Sequence, residues 1–391
     1  MTNQVKIVWI DDFIKMVKSV YKEEKISLHR PVFEGNEKRY LTDCIDSNYV
    51  SSVGNQVSEF EQRIAAFTGS RFAIATVNGT AALHVCFKLA GVSQGDEVIC
   101  QSVNFIASCN AVTYAGGTPV FIDVDIDTLG MSPKALNRFL VTNVELRNGI
   151  AWNRITNRKI SACVPMHTFG LPCRIQEIRE ICQEWSIPLV EDAAESLGCR
   201  IENKHTGTFG LLGAISFNGN KILTTGGGGM ILTNDEQLAI RAKHITTTAK
   251  LPHPYKFIHD EIGFNYRLPN LNAALGLAQL ELLPQMLMIK GDLNKEYTSF
   301  FSRVDVVTPK IKPGVTPWLN TIILNSIEER DYFINYTNEQ NIMTRPMWNL
   351  MSKLEMYKDC QNDGLTNSLW LEERVVNLPS SVPYGILKKI Q

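Results

Sequence analysis

The segment Ser216-Phe217-Asn218-Gly219-Asn220-Lys221 ends in a lysine and runs on into Thr224-Thr225 and the glycines Gly226 to Gly229. An amine in such a partly desolvated bend can lose its proton and form a Schiff base with an aldehyde. The glycines let backbone pass close to a ligand. Upstream, Pro188-Leu189-Val190-Glu191-Asp192-Ala193-Ala194-Glu195 sets carboxylates at the end of an apolar run. Open α/β sheets bind ligands at that edge, and a carboxylate buried there requires a cation. Asp192 has the charge to meet a protonated pyridine nitrogen. In Val77-Asn78-Gly79-Thr80-Ala81-Ala82-Leu83 a strand-like run gives way to a glycine turn and then to a helix of small residues. Unpaired N–H groups and the positive end of the helix dipole converge there, which suits a phosphate. Phe105, at the end of Ser102-Val103-Asn104-Phe105, follows another strand-like run and offers a stacking face.

Each feature by itself has a plain structural alternative. The glycine turn is also an ordinary strand-to-helix connection capped by Asn or Thr, and Asp192 is also a helix N-cap residue. Lys221 is also a solvated hairpin lysine, and Phe105 a core aromatic. The conjunction changes the balance. Pyridoxal phosphate requires an imine-forming lysine, an acid for its pyridine nitrogen, an anion cradle and a stacking group, and this chain has a candidate for each.

Such residues need a frame. Helical spacing covers Gln56 to Phe67, Thr80 to Leu89 and the stretch near Ile175 to Trp185. Short apolar runs at Phe72–Val77, Glu97–Cys100, Pro119–Ile122, Ile160–Pro165, Pro188–Val190 and Ala214–Phe217 read as buried strands. Strands alternating with helices predict a mostly parallel sheet covered on both faces. The expectation is a large α/β domain over residues 51–245, behind an N-terminal segment 1–50. Residues 246–391 then hold a loop at Leu251–Leu271, a long helix from about Asn272 to Phe301, and a smaller C-terminal α+β domain. Its strands lie near Thr321–Leu324 and Val375–Leu378.

The bulk numbers allow this and exclude other classes. With 391 residues, 44% hydrophobic and 20% charged, the chain has the composition of a soluble globular protein with core enough for two domains. A formal net charge of −1 offers no basic excess for nucleic acid, so any anion must be met by a local site. The nine cysteines include no CxxC pair, which suits a reducing compartment and gives no support to a metal site. The opening MTNQVKIVWIDDFIKMVK has no signal-peptide pattern, and no apolar run is long enough to span a membrane, so the cytoplasm is the expected location.

The ordered motifs NGTAAL (Asn78–Leu83), FIDVD (Phe121–Asp125), EDAAESLG (Glu191–Gly198), SFNGNK (Ser216–Lys221) and FNYRLPNLNAALG (Phe264–Gly276) resemble the DegT/DnrJ/EryC1/StrS family of sugar-nucleotide aminotransferases. The likeness runs from about Arg30 to Val382. It implies the aspartate-aminotransferase fold (type I) and a homodimer with active sites at the subunit interface. It implies that Lys221 holds pyridoxal 5'-phosphate covalently and later shuttles protons, and that Asp192 pairs with the pyridine nitrogen. Thr80, Ala81 and Ser216 would hold the phosphate, Phe105 would stack on the ring, and Asn265 would reach the phosphate of the neighbouring subunit. Glu195 departs from many relatives, which carry Gln or His beside the ring oxygen. An ionised Glu195 would repel a phenolate, so it is either protonated or bonded elsewhere. Relatives that dehydrate sugars replace the lysine with His, so Lys221 implies amino transfer.

Phe33-Glu34-Gly35-Asn36-Glu37, Tyr49–Gly54 and Met343–Trp348 look most like aminotransferases of legionaminic-acid and bacillosamine-type pathways. That implies a UDP-linked 4-keto-6-deoxy sugar with a 2-acetamido group, and L-glutamate as amino donor. His167, Arg345 and Trp348 are then candidates for the substrate side. Their alternatives are a satisfied buried histidine, a surface ion pair and a core indole. A non-catalytic regulator and a Schiff-base lyase are the competing functions; the retained lysine and acid argue against the regulator.

Overall fold

The computed structural model describes residues 7–52 and 54–387; Val53, within the Tyr49–Gly54 segment, lies outside the described residues. α1 (Ile10–Tyr21), α2 (Glu37–Asp46) and α3 (Asn55–Thr68) lead into β1 (Phe72–Thr76). Helices and strands then alternate: α4 (Gly79–Leu89), β2 (Glu97–Gln101), α5 (Ile106–Tyr114), β3 (Thr118–Ile122) and α6 (Pro133–Asn143). A hairpin follows, β4 (Val144–Arg147) and β5 (Ile150–Asn153), then β6 (Arg158–Val164), α7 (Ile175–Glu184) and β7 (Val190–Asp192). β8 (Arg200–Ile201) and β9 (Lys204–His205) make a small ribbon before β10 (Leu212–Ser216), β11 (Gly229–Thr233) and α8 (Glu236–Thr246). Helix starts follow side-chain caps: Asn78, Ser132 and Asp235 accept the N–H groups of Ala81, Ala135 and Leu238.

Strand order is β1–β11–β10–β7 in one run and β3–β2–β6 in another. Parallel bridges Cys163↔Leu189 and Met166↔Asp192 join β6 to β7, so the two runs form one sheet. β2 is parallel to β3 and β6, and β7 to β10; β11 runs against both its neighbours. Alternate strand residues face opposite layers. Ile74, Val98, Ala214 and Ile231 pack under α4, α5 and α8. Ala73, Ile215 and Met230 pack under α3 and the long helix, while Ile99 and Val120 pack under α6 and α7. Burial on both faces is why the strands read as short continuous apolar runs. The carboxyl ends of β1, β7 and β10 deliver the turns at Asn78, Asp192 and Lys221.

The long helix is α9 (Asn270–Arg303). Beyond it β12 (Asn320–Ile323), α10 (Ile327–Glu339), β13 (Arg345–Pro346), α11 (Thr366–Glu372) and β14 (Val375–Leu378) form a second unit, with β14 antiparallel to both β12 and β13. α1 joins this unit, because its apolar stripe needs a partner. Phe13 is buried with Tyr297, Phe301 and Phe333, the Phe13 and Phe333 ring centroids lying 5.2 Å apart. Backbone stitches follow it: Ser380 N–H donates to Leu28 O (2.7 Å) and Arg30 N–H to Ser381 Oγ (2.9 Å).

Candidate active site

After β10 the chain folds back on itself. Phe217 N–H donates to Gly228 O (2.8 Å), Thr225 N–H to Phe217 O (3.0 Å) and Lys221 N–H to Asn218 O (3.0 Å). Asn272, in the first turn of α9, secures the returning limb by donating to the carbonyls of Thr225 (2.7 Å) and Gly227 (3.1 Å). Lys221 Nζ donates to Glu195 Oε1 at 2.9 Å and lies 3.9 Å from the centroid of the Trp318 ring. Trp318 Nε1 in turn donates to Asn220 O (2.7 Å). The amine is therefore held between an acid, an aromatic face and its own loop. The Lys221 side chain is 12% exposed and that of Glu195 1%, so the pair is shielded from water.

Glu195 Oε2 accepts the Phe169 N–H at 2.9 Å. Phe169 has φ 56°, a left-handed conformation that costs a bulky side chain free energy and persists where the surroundings hold it. Gly170 follows with φ 86°, and a Cβ there would lie 2.5 Å from Trp318 N and 2.8 Å from Glu195 O. A glycine is what lets these three backbones meet. Burial raises the Glu195 carboxyl above its ordinary range, while the Lys221 charge and hydrogen bond and the Phe169 N–H pull it back.

Asp192 closes β7 and is buried. Its Oδ2 accepts from Ser108 Oγ (2.5 Å) and its Oδ1 from Ala194 N–H (3.1 Å). The same Ser108 hydroxyl lies 3.0 Å from Asn104 Oδ1. Burial raises the Asp192 carboxyl, and Ser108, Ala194 N–H, Lys221 and His167 oppose the rise. No helix starts at Asp192, so it is not a helix cap. Its neighbour Glu191 points to the other face, as strand alternation requires. Glu191 accepts the N–H groups of Gly207 (2.8 Å), Phe209 (2.5 Å) and Gly210 (2.7 Å) and meets His167 Nε2 at 3.1 Å.

At the start of α4, Asn78 Oδ1 accepts Ala81 N–H at 2.8 Å. β11 passes tightly beneath: a Cβ on Gly229 would lie 2.4 Å from Asn78 O. Ser216 is packed against the same turn, because a Cβ on Gly79 would sit 2.9 Å from Ser216 Cβ. Thr80 is the next residue of that turn, half-buried. Ala194, Glu195, Ser216, Lys221 and Trp318 line one cleft. Phe105, 46% exposed at the start of α5, faces Trp348 (centroids 5.8 Å), and Trp348 faces Phe169 (4.8 Å).

The remaining expected residues stand apart from this cleft. His167 is fully buried, with Nε2 on Glu191 and Nδ1 accepting Cys173 N–H (3.3 Å). Arg345 is exposed on β13 and donates to Asn338 Oδ1 (3.0 Å) and Thr344 O (3.1 Å). Asn265 is exposed and held by the Arg267 guanidinium at 2.9 Å. Ser108 and Trp318, in contrast, enter the site without any mark in the local sequence, since their partners lie 84 and 98 positions away.

A family model for the DegT/DnrJ/EryC1/StrS aminotransferase family matches residues 31–384. The chain belongs to this family. It is a pyridoxal-phosphate-dependent nucleotide-sugar aminotransferase of the aspartate-aminotransferase fold (type I). The chain is similar to GDP-perosamine synthase from Escherichia coli O157:H7, with 36% identity over 358 residues, 91% of this chain and 93% of the relative. It is also similar to UDP-2-acetamido-2-deoxy-3-oxo-D-glucuronate aminotransferase from Pseudomonas aeruginosa, 30% identical over 261 residues, 66% of this chain and 67% of the relative. A crystal structure of a DegT DnrJ EryC1 StrS aminotransferase from Brucella abortus matches with a TM-score of 0.80 at 26% identity, covering 91% of this chain and 93% of that one.

The DegT/DnrJ/EryC1/StrS member has a donor set that fits its cofactor. A buried acid at the end of β7 forms no ion pair with a cation among the described residues, and a pyridinium nitrogen would supply one. The start of α4, against which Ser216 is packed, would offer an anion its helix N-terminus and the Thr80 and Ser216 hydroxyls. Lys221 lies in the cleft that Ser216 also lines. No helix among the described residues is long and apolar enough to cross a membrane.

Proposed function

We propose that Lys221 carries pyridoxal phosphate and that the protein moves an amino group from L-glutamate to the keto carbon of a nucleotide-linked 4-keto-6-deoxy sugar. The observation that carries this reading is the 2.9 Å contact between Lys221 Nζ and the buried Glu195, in the cleft lined by Ser216. When bound, pyridoxal phosphate supplies the aldehyde and the electron sink. Lys221 must shed a proton before it attacks that aldehyde, and Glu195 Oε1 is the acceptor in contact. Burial favours the neutral Glu195 carboxyl over its anion, which suits it to take that proton. A protonated Glu195 would donate to the ring oxygen rather than repel it, while its other oxygen keeps the Phe169 N–H.

Asp192, oriented by Ser108 and Ala194 N–H, stays charged beside the pyridine nitrogen. Thr80 and Ser216 hold the phosphate, and Ala81 N–H joins them once Asn78 releases it. Phe105 stacks on the ring. With the cofactor bound, Lys221 Nζ would be the base that takes the proton from the amino donor's α-carbon and returns it. The same steps in reverse deliver the amine to the sugar.

For the sugar, Trp348 offers a wall beside Phe105 and Phe169, whereas the Arg345 guanidinium is engaged by Asn338 and Thr344. A UDP-linked 2-acetamido-4-keto sugar follows from the likeness of Phe33–Glu37, Tyr49–Gly54 and Met343–Trp348. A GDP-linked sugar is the second reading, favoured by the relative named GDP-perosamine synthase, which matches 91% of this chain. The loop between α8 and α9 exposes Tyr255 (79%), Phe257 (81%) and Ile262 (88%), an apolar face for a second copy of the chain. Asn265 in that loop would reach the partner's phosphate site.

The test incubates the purified protein with pyridoxal phosphate, glutamate and UDP-, GDP- and TDP-linked 4-keto sugars. Release of 2-oxoglutarate and an amino sugar identified by mass and NMR are expected. Lys221→Ala should lose both visible absorbance and turnover, and full activity in that variant sinks the assignment. No glutamate consumption with any sugar would favour a regulator, and a protein that gains no visible absorbance with pyridoxal phosphate would favour a lyase.

A further inference from the structure

We infer that His29 and Lys290 are positioning residues for Lys221, acting through Trp318. Lys290 stands in the middle of α9, 1% exposed, and no carboxylate pairs with it among the described residues. A lysine in such a place is costly unless its hydrogen bonds are met. Nζ donates to Trp318 O (2.9 Å) and Ser380 O (2.5 Å) and lies 3.2 Å from His29 Nε2.

A neutral amine satisfies this geometry fully. Its two hydrogens go to the carbonyls, and its lone pair accepts from His29 Nε2–H. His29 also lies against the backbone of Asn220, whose carbonyl accepts the Trp318 indole N–H. Burial lowers Lys290 to about 7 and holds His29 well below its ordinary value.

The consequence reaches the site through Trp318. Its carbonyl is held by Lys290, its N–H by Phe169 O (2.8 Å), and its indole N–H by Asn220 O (2.7 Å). Its ring lies 6.0 Å from the His29 ring and 3.9 Å from Lys221 Nζ. Segments from before β1, from α9 and from beyond β14 thus converge on the surface against which Lys221 rests. His29 lies just outside the span that the family model matches.

This inference rests on Lys221 being the cofactor-bearing amine, and the experiment separates the two. Purified apoprotein is mixed with pyridoxal phosphate, and capture is followed by visible absorbance and by borohydride trapping mapped to Lys221. His29→Leu should slow capture, by up to about a hundredfold if Lys221 is displaced by an ångström. His29→Gln, which restores an N–H toward Lys290, should recover most of the rate, and Trp318→Phe, which lacks the indole N–H, should be slow. Circular dichroism and melting confirm that the variants are folded. If His29→Leu does not fold, His29→Asn, whose shorter amide falls short of Lys290, replaces it. Wild-type rate and spectrum in the folded His29 and Trp318 variants overturn the inference. Trapping at a residue other than Lys221 in the wild type overturns the earlier reading instead.

Discussion

Ser108 donates to Asp192 Oδ2 at 2.5 Å while burial pushes the same carboxyl up, so the charge of Asp192 is a balance between the two. Ser108→Ala removes the opposing hydrogen bond, and the carboxyl rises further. If Asp192 must be ionised, the acid limb of kcat/KM against pH moves to higher pH and activity at neutral pH falls. A pH–rate profile reads this directly, and an unmoved acid limb would count against a required carboxylate. Glu195 makes a different demand. Glu195→Gln keeps an oxygen for Lys221 Nζ but removes the proton acceptor. Cofactor capture near neutral pH should slow by about a hundredfold, the lower range for a lost general base, and should recover as pH rises. Stopped-flow capture at several pH values checks it; a pH-independent rate equal to wild type would show that Glu195 takes no proton. Lysine and acids were legible in the sequence because each sits in its own compact motif. Ser108 was not, because a hydroxyl brought from α5 to β7 by the sheet leaves no local spacing to read.

Among the elements, the parallel strands were legible because burial on both faces makes each a short apolar run. β7 is displaced from the apolar run that announces it: the expected Pro188–Val190 is observed at Val190–Asp192. Pro188 has no N–H for the ladder, though its carbonyl accepts Cys163 N–H at 2.9 Å, so pairing begins before the strand proper. The shift matters, since it places Asp192 inside the ladder rather than beyond it. The β4–β5 hairpin is marked by Asn148-Gly149, both left-handed at φ 52° and 78°, between alternating residues. A search for buried parallel strands passes over it because its exposed residues break the apolar run. The cradle depends on close passage of β11 under the Asn78 turn. Gly229→Ala would drive a Cβ to 2.4 Å from Asn78 O. Overpacking of this kind costs about 1–3 kcal/mol. Denaturant unfolding should show that loss together with weaker pyridoxal phosphate binding, and unchanged binding would mean that the turn does not serve the phosphate.

At the scale of the molecule, the buried amine on α9 couples stability to pH. Lys290 is lowered to about 7 from 10.5, so the unfolded chain binds that proton more tightly than the folded one. The folded state therefore carries the full penalty below about pH 7, and stability from this group rises as pH climbs toward 10.5. Lys290→Met abolishes the dependence. The difference between its unfolding free energy and that of wild type should change across this window, and parallel curves would refute a neutral buried lysine. The second copy of the chain is tested at the same scale. Tyr255→Ser with Phe257→Ser should shift the protein toward monomer in light scattering, and an unchanged mass would place the interface elsewhere.

Ser380 steadies Lys290 from beyond the last strand, and it leaves the ribosome long after Lys221, Asp192 and Glu195. Chains emerge amino-terminus first, and domains fold as they appear. A nascent chain thus assembles its reactive cleft before the brace behind it. Competence to capture the coenzyme should be gained only once the stretch carrying Ser380 has emerged and can close on Lys290.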